Sequence, residues 1–266
     1  MQIRQIALDT ETTGLFPKEG NRIIQIAGVE IINGEATGKY YNTYMNPERD
    51  SNPEALKVHG LTTEFLADKP KFIEIADEFL KFIEGAELII HNAPFDLGFL
   101  NHELNLIGKP ALKNAIRDTR VIAQQFYSKE FLTTELVSKQ LVEDEKIVQE
   151  EKAKSESEQS LIAQLVENSK FRVHSLDHLC KYFGVNLSTR EKYHGALVDC
   201  ELLIQVHFHL EQEQIKHEVS KTTRVSLPIE ASNSSIVNVS IFQPNRVQTE
   251  EPQAQEFQSK KSMTNQ

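Results

Sequence analysis

The stretch that most constrains this chain is Ile6-Ala7-Leu8-Asp9-Thr10-Glu11-Thr12-Thr13-Gly14, an apolar run that ends in two carboxylates one residue apart. As a strand over residues 3–11, its period of two places Asp9 and Glu11 on one face and Thr10 on the other. Like charges that close repel, and one pKa rises unless a cation lies between them. The pair therefore asks for a metal, or else it is an ordinary strand end leading into a turn at Gly14. An Asp-x-Glu taken alone does not separate the two.

The pattern downstream says what kind of sheet receives this strand. Residues 22–32 read as a second strand, closed by Asn33-Gly34, a hairpin signal, and residues 39–45 read as a third. Three strands joined by short loops make an antiparallel meander. From Pro53 the period changes: a short helix opens there, and Phe72, Ile75, Ala76, Phe79, Leu80 and Ile83 recur at helical spacing up to Gly85. Glu87-Leu88-Ile89-Ile90-His91 is a short buried strand, and a helix carrying Phe95, Leu97, Phe99, Leu100 and Leu104 follows it. Residues 115–117 form a further short strand and residues 119–127 a further helix. Strand, helix, strand, helix implies parallel pairing added to the meander, an α/β mixed sheet flanked by helices.

Residues 128–172 differ in character. Glu143-Asp144-Glu145-Lys146 and Glu150-Glu151-Lys152-Ala153-Lys154-Ser155-Glu156 make them highly charged, with apolar pairs on either side. They read as a charged helical insertion, either a partner surface or lid or a solvated excursion. From His174 the chain is compact again, with a helix over Leu176, Leu179, Cys180 and Phe183 and a long one over residues 196–214. This gives a domain over 1–214 and a flexible C-terminal tail over 215–266, rich in Ser, Thr, Asn, Gln, Glu and Pro. Two apolar islands within the tail, at residues 225–229 and 236–242, suit docking on a partner.

Composition narrows the setting. With 266 residues, 39% hydrophobic and 14 of them Phe, the chain buries a sizeable core. Cys180 and Cys200 lack paired spacing, which argues against a disulfide framework or a zinc site and for a reduced, cytoplasmic setting. No apolar run approaches the ~20 residues that span a bilayer, and the start Met-Gln-Ile-Arg-Gln lacks a leader's layout, so a soluble protein is expected. A net charge of -10 opposes broad attraction to a polyanion. Contact with nucleic acid must then be local, through metals or through a partner.

Further carboxylates complete the picture. Asp96, in His91-Asn92-Ala93-Pro94-Phe95-Asp96, falls in the first turn of a helix at the carboxyl end of a strand, where α/β sheets bind ligands. His194 and Asp199 would be rotated by about 140° on one continuous helix. Their spacing works if Gly195 marks the helix start, leaving His194 on the loop. Asp9, Glu11, Asp96, Asp199 and His194 then form four carboxylates and one imidazole. Oxygen donors suit Mg²⁺ or Mn²⁺ rather than zinc. Two such cations about 3.5–4 Å apart clamp the attacking and leaving oxygens of a phosphodiester, and an imidazole of pKa about 6.5 is a base near neutral pH.

These motifs, Asp9-x-Glu11-Thr12-Thr13-Gly14, His91-Asn92-x-x-Phe95-Asp96 and His194-x-x-x-x-Asp199, resemble those of the DEDDh 3′–5′ exonucleases. Among these the chain is most similar to the proofreading epsilon subunits of bacterial DNA polymerase III, over residues 1–128 and 173–212. Asn52-Pro53-Glu54-Ala55-Leu56-Lys57-Val58-His59-Gly60 and Arg117-Asp118-Thr119-Arg120 share in the likeness. The resemblance implies an RNase H-like fold and metal-dependent removal of nucleotides from a DNA 3′ terminus as nucleoside 5′-monophosphates. It implies two divalent cations, Mg²⁺ or Mn²⁺, on Asp9, Glu11, Asp96 and Asp199, and His194 as the base. Substrate contacts are implied for Asp9, Glu11, Glu54, His59 and Asp199. The implied partners are the polymerase III catalytic subunit and the small subunit of its core. Residues 128–172 are extra to the pattern. Residues 224–229 stand where the family carries a sliding-clamp motif but lack its Gln. A related enzyme acting on RNA ends, or a non-catalytic scaffold, are the rival readings.

Overall fold

The computed structural model describes residues 3–127, 174–190 and 194–223. β1 (Arg4–Thr12), β2 (Ile23–Ile32) and β3 (Glu35–Tyr44) form the antiparallel meander, and β4 (Glu87–Ile90) and β5 (Ile116–Asp118) extend it in parallel. The sheet order is β3-β2-β1-β4-β5, so β1 is its centre. Between β3 and β4 run α1 (Pro53–His59), α2 (Thr63–Leu66) and α3 (Phe72–Ile83); α4 (Ala93–Leu106) joins β4 to β5. After β5 come α5 (Thr119–Phe126), α6 (Leu176–Phe183) and α7 (Ala196–Thr223).

Alternation along β1 sorts the core into two layers. Ile6 and Leu8 point to one side, where Ile26, Leu88 and Ile90 meet Phe72, Ile75 and Phe79 of α3 and Phe99, Leu100 and Leu104 of α4. Ala7 points to the other side with Ala27, Val29 and Ile89, against Ala123 of α5, Leu179 of α6 and Leu202, Leu203 and Val206 of α7. The small side chains of Ala7 and Ala27 let α7 lie close on the sheet, and Cys200 Sγ reaches Ala27 O at 3.4 Å. Asp9 and Glu11 continue the phase of Ala7, so they emerge on the α7 side.

Several boundaries differ from the sequence reading, most of them by one residue at an element's end. β3 starts at Glu35 rather than Lys39, because Asn33 (φ 52°) and Gly34 (φ 84°) make a two-residue turn that pairs Ile32 with Glu35 at once. β5 is displaced by one residue, to Ile116–Asp118. α7 runs past Gln214 to Thr223, so the first residues assigned to the tail are helical; there Lys216 pairs with Glu213 at 2.7 Å and the His217 ring meets Phe126 at 5.6 Å. The whole of the 128–172 insertion and most of the tail, including residues 225–229 and 236–242, lie outside the described residues. No helix among the described residues is long and apolar enough to cross a membrane. Both cysteines are free and buried.

Candidate active site

The carboxyl ends of β1 and β4 lie side by side because the two strands are parallel, and the acidic residues gather there from both faces of the sheet. From the α7 side comes Asp199. The α7 start is fixed by Gln25, opposite Glu11 in the ladder, whose Oε1 accepts from Ala196 N at 3.1 Å. With Gly195 ahead of the helix, His194 stays on the loop, and its N–H donates to Val58 O of α1 at 2.9 Å. Asp199 and His194 thus reach one place from different local structures, as their spacing required.

Asp96 arrives from the other face. After β4, Asn92 takes a left-handed conformation (φ 70°), and Pro94 in the first turn starts α4. Asp118 secures this turn: its Oδ1 and Oδ2 accept from Asn92 N (3.1 Å) and Ala93 N (2.9 Å), while Oδ1 also accepts from Arg120 N at the start of α5 (2.9 Å). Thr10, on the α4 side of β1, donates its hydroxyl to Asp96 Oδ1 at 2.7 Å. Thr10 therefore links the two acidic residues of its own strand to the carboxylate from the opposite face.

The result is a desolvated group of like charges. Glu11, Asp96 and Asp199 are only 9%, 2% and 4% exposed. Desolvation, reinforced by Asp199, Asp96 and Glu11, holds the Asp9 carboxyl well above its ordinary value. Burial and the Asp199 charge push Glu11 up to about 8. Burial raises Asp96 to about 7, partly offset by the Thr10 bond, and Asp199 to about 6, partly offset by Arg190. One donor atom each of Glu11, His194 and Asp199 lies within 4.8 Å of the others. Asp199 Oδ1 is buried and has no hydrogen-bond partner among the described residues. A buried carboxylate oxygen without a donor, among carboxyls that resist ionisation, is what a site for hard divalent cations presents before they bind. The donor set fits that group.

The other predicted residues fall at different depths. His59, at the end of α1, is buried rather than on the surface; its Nδ1 accepts from Leu61 N at 3.0 Å, and burial lowers its pKa to about 4. Glu54 is exposed and pairs with Lys57 at 2.8 Å, outside the carboxylate group. His91 holds the frame instead: its ring bonds Thr119 Oγ1 (2.9 Å) and His174 O (2.8 Å). Sequence reasoning missed Gln25 and Arg190. Gln25 carried a faint signal as the polar residue within Ile23-Ile24-Gln25-Ile26-Ala27. Arg190 carried none, since only folding brings it to Asp199.

A sheet of this order, with carboxylates gathered at the carboxyl ends of its central strands, is an architecture on which a hydrolase of the nuclease kind can be built. Comparison with known proteins makes that specific. The family model described as Exonuclease matches residues 6–146. The DNA polymerase III epsilon subunit of Rickettsia prowazekii is 37% identical over 264 residues, covering 97% of this chain and 94% of the relative. That of Escherichia coli is 37% identical over 212 residues, covering 77% and 70%. A solved structure of product-bound exonuclease I shares the fold, with a TM-score of 0.57 at 14% identity, over 81% of this chain and 45% of the other. The chain belongs to the family of the DNA polymerase III epsilon subunits, the 3′–5′ proofreading exonucleases.

Proposed function

We infer that this exonuclease removes mispaired nucleotides from DNA 3′ ends with Asp9, Glu11, Asp96 and Asp199 as the ligands of two divalent cations, Mg²⁺ or Mn²⁺. The observation that carries this reading is the convergence of four carboxylates from both faces of the sheet, all with pKa values raised by burial and those of Asp9 and Glu11 raised further by the neighbouring carboxylates. Such cations, when bound, supply Lewis-acid stabilisation of charge on the attacking and leaving oxygens of a phosphodiester. The chain's own residues do the rest. His194, half-buried on its loop, takes the proton of the attacking water as general base. Thr10 keeps Asp96 turned toward β1. α1 lies beside the His194 loop through the Val58 carbonyl, and from it Glu54 and His59 contact the terminal nucleotide.

Selectivity for errors follows from fraying, since a mismatched end costs less to unstack into a site for single strands. The acidic chain gains substrate by tethering, which supplies effective concentrations of roughly millimolar order. Its partners are the DNA polymerase III catalytic subunit and the small core subunit, in the cytoplasm where replication proceeds. The decisive experiment is hydrolysis of 3′-mispaired DNA by Asp9→Ala. Losing several kcal/mol of charge stabilisation lowers the rate by about 10³-fold or more, with the circular dichroism spectrum unchanged. An unaltered rate refutes the site. Paired DNA, mispaired DNA and RNA of equal length, compared in the same assay, test the substrate.

A further inference from the structure

Arg190 ends the 3₁₀ turn Ser188–Arg190, just before the His194 loop, yet its side chain is only 8% exposed. Its Nη1 donates to Asp177 Oδ1 on α6, and its Nη2 donates to Asp199 Oδ2 at 2.6 Å. The same Nη2 also meets His194 Nδ1. A guanidinium has no acceptor, so Nδ1 must be the unprotonated nitrogen in that contact. Of the three groups that Arg190 touches among the described residues, Asp199 and His194 are members of the candidate site, while Asp177, 42% exposed, stands outside it. The Arg190 charge also opposes the raised pKa values of Asp9, Glu11 and Asp199.

We propose that Arg190 is the resident counter-cation of the metal site: it holds Asp199 Oδ2 in the metal-free protein, and a divalent cation displaces it toward Asp177. This rests on the metal reading of Asp9, Glu11, Asp96 and Asp199. Crowded, desolvated carboxylates need positive charge to remain in one place. A guanidinium on Oδ2 and a divalent cation on the open Oδ1 of the same carboxylate repel each other at short range, so the two alternate. Asp177 gives the displaced guanidinium a second carboxylate without the side chain leaving its pocket. The exchange also bears on the base. With Arg190 on Nδ1, a neutral His194 carries its proton on Nε2 and has no lone pair to offer there; release of Arg190 frees the imidazole to take either tautomer.

The test measures Mn²⁺ binding to the full-length chain, from the electron paramagnetic resonance signal of free Mn²⁺, together with melting in EDTA and in Mn²⁺. Arg190→Gln should bind Mn²⁺ about tenfold more tightly, the order that one charge-assisted hydrogen bond carries. It should melt lower than the unaltered protein in EDTA but close to it in saturating Mn²⁺. Asp177→Asn, which removes the alternative carboxylate, should bind Mn²⁺ more weakly. A purely structural tie between α6 and α7 predicts instead that both variants melt lower in both conditions and that neither binds Mn²⁺ more tightly. That result, or an unchanged affinity in Arg190→Gln, overturns the proposal. Asp9→Asn separates this failure from that of the site reading. If the unaltered protein and Asp9→Asn bind Mn²⁺ equally, the metal is held elsewhere, and both inferences fall.

Discussion

At the scale of single residues, Thr10 does more than its place in the motif implies. The alternation of β1 turns it away from Asp9 and Glu11, and its 2.7 Å bond to Asp96 Oδ1 makes that opposite direction useful. This bond stabilises the ionised form of Asp96 against a burial that otherwise raises its pKa. Thr10→Val keeps the shape of the side chain and removes the donor. It should weaken Mn²⁺ binding or turnover by about 10–100-fold, the usual cost of losing a group that orients a metal ligand. Titration of Mn²⁺ alongside kcat checks this, and a variant equal to the unaltered protein in both would show that Asp96 needs no such support. The five catalytic candidates were legible in the sequence because each stands in a short motif whose spacing has a geometric meaning. Thr10 was legible only as a direction, since its partner lies in another motif.

At the scale of elements, the start of α7 decides where Asp199 points, and Gln25 decides where α7 starts. The Ala196 N–H belongs to the unsatisfied first turn of a helix, and Gln25 Oε1 is its partner at 3.1 Å. Gln25→Leu leaves that buried donor without an acceptor. It should cost about 1–3 kcal/mol of stability, and a displacement of Asp199 by about 1 Å would slow hydrolysis by about 10²-fold. Denaturant melts and single-turnover rates read the two effects separately. A stable but slow variant assigns Gln25 to positioning, and a variant normal in both rejects the anchor. Helices and strands in this chain follow from local pattern: the Asn33-Gly34 turn, Pro53 and Pro94 at helix starts, and Gly184 (φ 72°) at the end of α6. The extension of α7 to Thr223 did not, because its last turns contain few apolar residues and gain from contacts such as His217 with Phe126.

At the scale of the whole molecule, two sets of buried groups oppose each other as pH changes. Asp199, Asp96 and Glu11 hold their protons more tightly folded than unfolded, with values of about 6, 7 and 8. Their contribution to stability is complete below the ordinary carboxyl range and is lost as pH rises through those values. His59, His91 and His178 are held neutral by burial, each at about 4, so their contribution is complete above the ordinary imidazole value and is lost as pH falls. Bound cations relieve only the first set. The difference in Tm between Mn²⁺ and EDTA should therefore grow from about pH 5.5 to about pH 8, and a flat difference would contradict the carboxylate assignment. The helix boundary also sets how the tether is tested. Truncation after Thr223 keeps α7 whole, so nuclease activity should persist while binding to the polymerase catalytic subunit is lost in a pull-down; retained binding places that contact within residues 1–223. By itself, the sequence determined the α/β order of elements, the identity of the acidic residues and the need for a counter-charge among them, because these depend on local period and on residue chemistry. Only the tertiary structure decided that the carboxylates approach from both faces of the sheet, that Gln25 and Thr10 orient them, and that Arg190 supplies a charge of its own. Those contacts join residues far apart in the chain, and no local pattern records a distance that the parallel pairing of β1 with β4 and the packing of α7 create.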